Sequence, residues 1–196
     1  VYVRYNTNLS RTSFQKSNLF DLLKYFNDWQ VCASIDGTGK VGEYIRDGLH
    51  YEQWLRNFKE GLSVSTNPRQ MRLDFTITLL GLLELKNMFD LSQQLNTEVL
   101  TKVMFTFSND EILSPLSLPK ELLHSIIDEA LEYMEPKATR KQRALIDVLK
   151  NLKQRDTFVP TKKGKLRQLW LDKIRKQDIT KILSKDERML EWWTSL

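Results

Sequence analysis

Four short stretches in which apolar and polar residues alternate, each followed by a stretch in which apolar residues recur every three or four positions, constrain this chain more than any other feature. In the clearest, Leu73, Phe75, Ile77 and Leu79 alternate with Arg72, Asp74, Thr76 and Thr78. A period of two sends successive side chains to opposite faces of a strand. Val1 to Leu9, Val31 to Ile35 and Thr101 to Phe107 read the same way. Between the strands lie helical stripes: Leu19, Leu22, Leu23 and Phe26, then Tyr51, Trp54, Leu55, Phe58 and Leu62, then Leu82 to Leu95. Strand, helix, strand is the order of a parallel crossover, so residues 1–113 are expected to form an α/β unit, a partial (β/α) barrel of the TIM type. From Ser114 the strands stop. Pro115 and Pro119 punctuate a turn, and residues 114–196 read as a helical extension. Its apolar positions are Leu122, Leu123, Ile126, Ile127, Ala130 and Met134; then Leu145, Val148, Leu149 and Leu152; then, after a basic loop over 157–164, Leu166, Leu169, Trp170 and Ile174. Ile179, Ile182 and Leu183 follow, and the pair Trp192-Trp193 closes the chain, read as core or interface.

Bulk composition narrows the function classes. A chain of 196 residues, 41% hydrophobic, can bury one sizeable core. No apolar run approaches the length of a membrane span, so no membrane partner is expected. Cys32 is the single cysteine, which excludes a disulfide framework and any metal site needing several thiolates from this chain, and points to a reducing, cytoplasmic setting. Because the sequence enters a strand-like run directly at Val1, it reads as a piece of a longer protein. The net charge of +5 is uneven: residues 137–176 carry fourteen Lys and Arg against three Asp, and the remainder is net acidic. Such a block can meet phosphates or an acidic partner, or can be the solvated faces of helices.

The run from Val31 to Arg46 carries the candidate site. Its strand stops abruptly at Asp36-Gly37, and Gly39 and Gly42 frame a tight loop. Alternation puts Cys32, Ser34 and Asp36 on one face. If helices cover the apolar faces, the opposite flank collects Asn6, Asn8, Ser34, Asp36, Thr76, Thr78, Thr106 and Ser108, a polar lining suited to a polar ligand at the strand ends. Each residue also has an ordinary reading: Asp36 and Asn8 as turn formers, Arg46 as an ion-pair partner of Glu43 or Asp47. Cys32 reads as a small buried side chain, and His50 and His124 are isolated from any acid–nucleophile set.

Arg4-Tyr5-Asn6-Thr7-Asn8-Leu9, the strand end Ser34-Ile35-Asp36-Gly37 and the following Glu43-Tyr44-Ile45-Arg46 resemble the second half of the core of radical S-adenosylmethionine enzymes, in the subgroup with a twitch-type auxiliary iron–sulfur segment. Leu171-Asp172-Lys173-Ile174-Arg175 resembles a Leu-Asp-x-x-Arg segment near their C-terminus. The resemblance implies that this chain holds the last four strands of a six-stranded barrel. It implies S-adenosylmethionine as cofactor, with Ser34 and Asp36 toward the ribose hydroxyls, Arg46 toward the carboxylate, and Asn8 and Thr78 lining the site. The intact enzyme would use a [4Fe–4S] cluster to generate a 5′-deoxyadenosyl radical and modify a substrate, a peptide or a small molecule. The three cluster cysteines and the Gly-Gly-Glu segment of that family are absent here, so activity would need the N-terminal half as partner. Leu80-Gly81-Leu82 stands where many relatives carry an asparagine. The other class of function consistent with the residues is a non-catalytic module whose basic residues 137–176 engage nucleic acid or an acidic partner.

Overall fold

A computed structural model describes residues 1–105 and 108–196. In chain order the elements are β1 (Tyr2–Thr7), a small hairpin of β2 (Ser13–Phe14) and β3 (Ser17–Asn18), α1 (Leu19–Leu23), β4 (Asp28–Ile35), α2 (Gly39–Ile45), α3 (Tyr51–Val64), β5 (Met71–Ile77), a 3-10 turn over Leu80–Glu84, α4 (Leu85–Gln94) and β6 (Glu98–Val103). The helical part follows: α5 (Lys120–Met134), α6 (Arg143–Leu152), α7 (Lys162–Arg175), α8 (Ile179–Leu183) and α9 (Glu187–Ser195).

The class is α/β, and its centre is a four-stranded parallel sheet in the order β1-β4-β5-β6. The registers, Thr7 opposite Ala33, Ile35 opposite Phe75 and Ile77 opposite Val103, line up one apolar flank. On it Val31, Ala33, Ile35, Leu73, Phe75, Ile77 and Val99 are fully buried. Burial of this flank is the main driving force of the unit, on the order of 1.5–3 kcal/mol for each large side chain. The α3 helix lies close against it: a Cβ placed on Gly61 would sit 2.6 Å from the Met71 sulfur. Trp54 and Phe58 of α3 stack with centroids 5.2 Å apart inside the same core.

Three local expectations are corrected. The fourth strand is Glu98–Val103 rather than 101–107; it starts earlier because Thr97, buried at the head of the strand, donates its hydroxyl to the Met71 carbonyl at 2.6 Å and so fixes the entry. Thr106 and Phe107 lie outside the described residues. The first helix is five residues long, because the backbone tightens into three-residue turns at Tyr25 and Phe26, which leaves Leu22 and Phe26 exposed. Most unexpectedly, α7 turns its apolar stripe outward: Leu166, Leu169, Trp170 and Ile174 are 65, 42, 61 and 57% exposed, whereas Gly164, Gln168 and Asp172 are buried.

The helical part is fixed to the sheet unit by α5 and α6, which pack on α4 and along β6, and by the C-terminal segments described below. Trp192 and Trp193 are buried, as core residues. Among the described residues no helix is long and apolar enough to cross a membrane.

Candidate functional site

The flank of the sheet opposite the apolar core is mostly polar, with Leu100 opposite Asp74 and Cys32 opposite Asn6 as its apolar members. Parallel register places Asn6 beside Cys32, Ser34 beside Asp74, and Thr76 beside Lys102. These side chains serve one another. Lys102 Nζ donates to both oxygens of Asp74, at 3.0 and 2.9 Å, Ser34 Oγ reaches Asp74 Oδ2 at 3.4 Å, and Arg72 pairs with Glu98 at 2.9 Å. At the amino end of the strands the flank borders a cavity of about 410 Å³ lined by Arg4, Asp28, Gln30, Arg69 and Arg72. Cys32 is 1% exposed within this layer, and its thiol lies 3.5 Å from the side-chain oxygen of Gln30.

At the carboxyl ends the structure brings two of the five expected site residues together. Arg46 Nη2 donates to Asp36 Oδ1 at 3.2 Å, and its Nε lies 2.6 Å from Oδ2 at an angle too oblique for a hydrogen bond. Arg46 therefore pairs with Asp36 rather than with Glu43 or Asp47. Glu43 instead accepts from Lys40 and from the Tyr51 amide, which together hold its carboxyl below the usual range and close the α2–α3 junction. Asp36 is 7% exposed, and the pairing partly offsets the desolvation of its carboxylate. Ser34 belongs to the Asp74 group. Asn8 is exposed and forms a turn, its Oδ1 accepting from the Ser10 amide at 3.2 Å and hydroxyl at 3.0 Å. Thr78 is buried and accepts from the Gly81 amide at 2.9 Å, so it shapes the turn after β5.

The loop that follows Asp36 is anchored by a residue that the sequence reading passed over. Glu84 is completely buried; its Oε2 accepts from the Thr38 amide at 2.8 Å, the Thr38 hydroxyl at 2.5 Å and Asn87 at 3.2 Å, and Oε1 lies 3.3 Å from Lys185 Nζ. The loop itself is too tight for a side chain at Gly42, where a Cβ would stand 2.1 Å from the Gly37 carbonyl oxygen. Glu84 was visible as the one charge in the apolar run Leu79 to Leu85, a pattern that marks a paired buried group.

A second buried network joins α2 to the C-terminal segments. Tyr44 OH donates to Asp172 Oδ1 at 2.5 Å, Gln168 Nε2 donates to the same oxygen at 2.9 Å and to Tyr44 OH at 2.8 Å, and Asp172 Oδ2 accepts from the Ile179 amide at 2.7 Å at the start of α8. Burial, then the hydrogen bond to Asp172, pushes the Tyr44 phenol far above its ordinary value. Asp172 belongs to the Leu-Asp-x-x-Arg segment, and here that aspartate ties α7 to α2 and to the head of α8. Beside it, Met104, Ile112, Leu113, Arg167, Gln168 and Leu171 line a cavity of about 280 Å³.

Other expected features have structural roles. His124 Nε2 lies 2.9 Å from the Lys153 carbonyl, and His50 precedes α3. The basic block is divided: Lys150 and Lys153 of the α6 region pair with Glu135 and Asp128 of the α5 region, whereas most α7 cations point outward. Among the described residues no group of three or more His, Cys, Asp or Glu could hold a metal ion. No protein-family model, curated protein or solved structure matches the chain.

Proposed function

We propose that this chain is the C-terminal, nucleoside-facing portion of a radical S-adenosylmethionine enzyme, a partial (β/α) barrel whose remaining strands and cluster cysteines belong to an N-terminal half. The observation that carries this reading is the mostly polar flank on a parallel sheet that ends, at β4, in the Asp36–Arg46 pair beside a glycine loop. A purely architectural sheet of this kind would fill both flanks with branched apolar residues.

The residues fit the nucleoside part of the cofactor better than the cluster. Asp36 can accept from ribose hydroxyls through the lone pairs that Arg46 leaves free, and Ser34 offers a hydroxyl two residues before it. Arg46 spends its charge on Asp36, so in this reading it orients that carboxylate rather than meeting the cofactor's own. Asn8 and Thr78 shape the adjoining turns. The cluster does not fit this chain: Cys32 is its single thiol and is enclosed beside Gln30, so no step is assigned through it. The edge of β1 away from β4 is unpaired among the described residues, and Tyr2 and Tyr5 are 55 and 46% exposed, which suits addition of a further strand there.

The test is the DNA upstream of the Val1 codon. An in-frame Cys-x-x-x-Cys-x-x-Cys motif, together with a loss of S-adenosylmethionine affinity of about tenfold or more in Asp36→Ala of the intact protein, is the expected result. A start codon directly before Val1, or unchanged affinity in the variant, overturns the reading.

A further inference from the structure

An amphipathic helix ordinarily buries its apolar face and shows its polar one to water. The α7 helix does the reverse. Its inward side is Gly164, Gln168 and Asp172, held by Tyr44 and the Ile179 amide, and this polar docking is fully hydrogen-bonded. Outward stand Leu166, Trp170 and Ile174, spaced i, i+4, i+8, with Leu169 beside them. That spacing is the ridge with which one helix packs into the groove of another. The ridge spans roughly 12 Å of helix axis, two turns.

The charges on the same surface specify the partner's sign. The helix has one carboxylate, Asp172, and it is buried; Lys162, Lys163, Arg167 and Lys173 are exposed. Lys163 is answered by Asp110 at 2.9 Å, but Lys162, Arg167 and Lys173 have no ion-pair partner among the described residues. At 100° per residue Lys173 and Lys163 fall within the arc of the apolar ridge rather than behind it. A bilayer is disfavoured by that placement, since laying the ridge into acyl chains would drag ammonium groups with it. Three of the four ridge residues are aliphatic, which offers nucleic-acid bases little to stack upon. An apolar ridge interleaved with cations matches a surface of leucines interleaved with carboxylates.

We propose that the outward face of α7 is a docking surface for an acidic amphipathic helix of a protein partner. This inference stands apart from the chemistry assigned to the strand ends, because the face lies on the far side of α7 from Tyr44.

Trp170 makes the experiment direct. The other tryptophans, Trp29, Trp54, Trp192 and Trp193, are all buried, so the solvent-exposed component of the emission reports on the α7 face. The probe is a labelled synthetic helix of three Glu-Leu-Ala-Glu-Ala-Leu-Glu repeats, followed by anisotropy and by the Trp170 emission. Expected are a dissociation constant of about 10–100 μM, a blue shift of the emission, and losses of about tenfold or more in Trp170→Glu and in Lys173→Glu. Both residues are exposed, so both variants should keep the parent circular dichroism and melting temperature. Lys150→Glu, in the same basic block but on α6, should bind as the parent does. The proposal is overturned by no binding at millimolar peptide, by equal binding of a peptide with every Leu replaced by Ser, or by tighter binding of oligothymidylate or of phosphatidylserine vesicles.

Discussion

Removing one oxygen atom tests the junction between α2 and the C-terminal helices. Tyr44→Phe keeps the ring, which is 6% exposed, and deletes the hydroxyl that donates to Asp172 at 2.5 Å and accepts from Gln168 at 2.8 Å. A hydrogen bond to a charged acceptor contributes about 1.5–3 kcal/mol net, and Gln168 keeps its second bond to Asp172, so the loss should fall in that range. For a chain of this size each kcal/mol moves the melting temperature by about 2–4 °C, which gives a drop of roughly 3–12 °C by calorimetry. Asp172→Ala should cost more, about 3 kcal/mol or greater, because it removes at once the acceptor of the Tyr44 hydroxyl, the Gln168 amide and the Ile179 amide, leaving only the bond from Gln168 to Tyr44. In that background Tyr44→Phe should cost less than half as much as it does alone. Hydrogen exchange should localise the effect: amides from Asp172 to Leu183 lose protection while β4 and β5 keep theirs. A melting temperature within 1 °C of the parent for Tyr44→Phe, or additive losses in the double variant, would refute the argument.

Three further outcomes follow from the same reasoning. The Tyr44 phenol is pushed up on folding, by burial and then by Asp172, so it adds stability that is intact below pH 10 and declines as the pH rises beyond that; urea unfolding at pH 8 and pH 11 should show a smaller alkaline loss in Tyr44→Phe than in the parent. Gly42→Ala forces a methyl toward the Gly37 carbonyl and should cost about 3 kcal/mol or more, or prevent folding, whereas Gly48→Ala, with open space around it, should pay only for its left-handed backbone, about 1 kcal/mol. Arg188 holds the carboxyls of Asp186 and Glu129 below their usual range, a contribution present above about pH 4 and lost as the pH falls through the lowered values; Arg188→Gln should therefore narrow the stability difference between pH 6 and pH 3 by about 1 kcal/mol or less, as befits a partly exposed cluster.

The central strands were legible in the sequence because burial on one flank and polarity on the other leaves a strict alternation, as in Arg72 to Leu79. Long helices such as α3 and α5 were legible through their stripes for the same reason. Periodicity reports that a helix has two unlike faces, but it does not say which one is inside. In α7 the buried face is decided by two hydrogen-bonding side chains, Gln168 and Asp172, that find partners more than a hundred residues away in sequence, at Tyr44, or at the head of the next helix, at Ile179. Pairings of that kind carry no local signature. Glu84 shows its burial in the sequence, as the one charge in an apolar run, but not that Thr38 is its partner; Arg46 is a similar case, since Glu43 and Asp47 looked nearer in sequence than Asp36 but are directed elsewhere. Of the expected polar lining, Asn6, Ser34 and Thr76 stand on the flank of the sheet, whereas Asn8 and Thr78 shape turns and Ser108 lies beyond β6; that Ser34 would share Asp74 with Lys102 was not foreseeable.

The placement of Cys32 gives the molecule a built-in clock. Its sulfur is enclosed on the flank of β4, a strand bonded on both sides, and the 196 residues of this chain hold no second thiol to compete for a reagent. Maleimide or Ellman's reagent can reach it when the side chains packed over it on the polar flank, Gln30 among them, move aside, so the modification rate at saturating reagent measures how often that layer opens, without any engineered label.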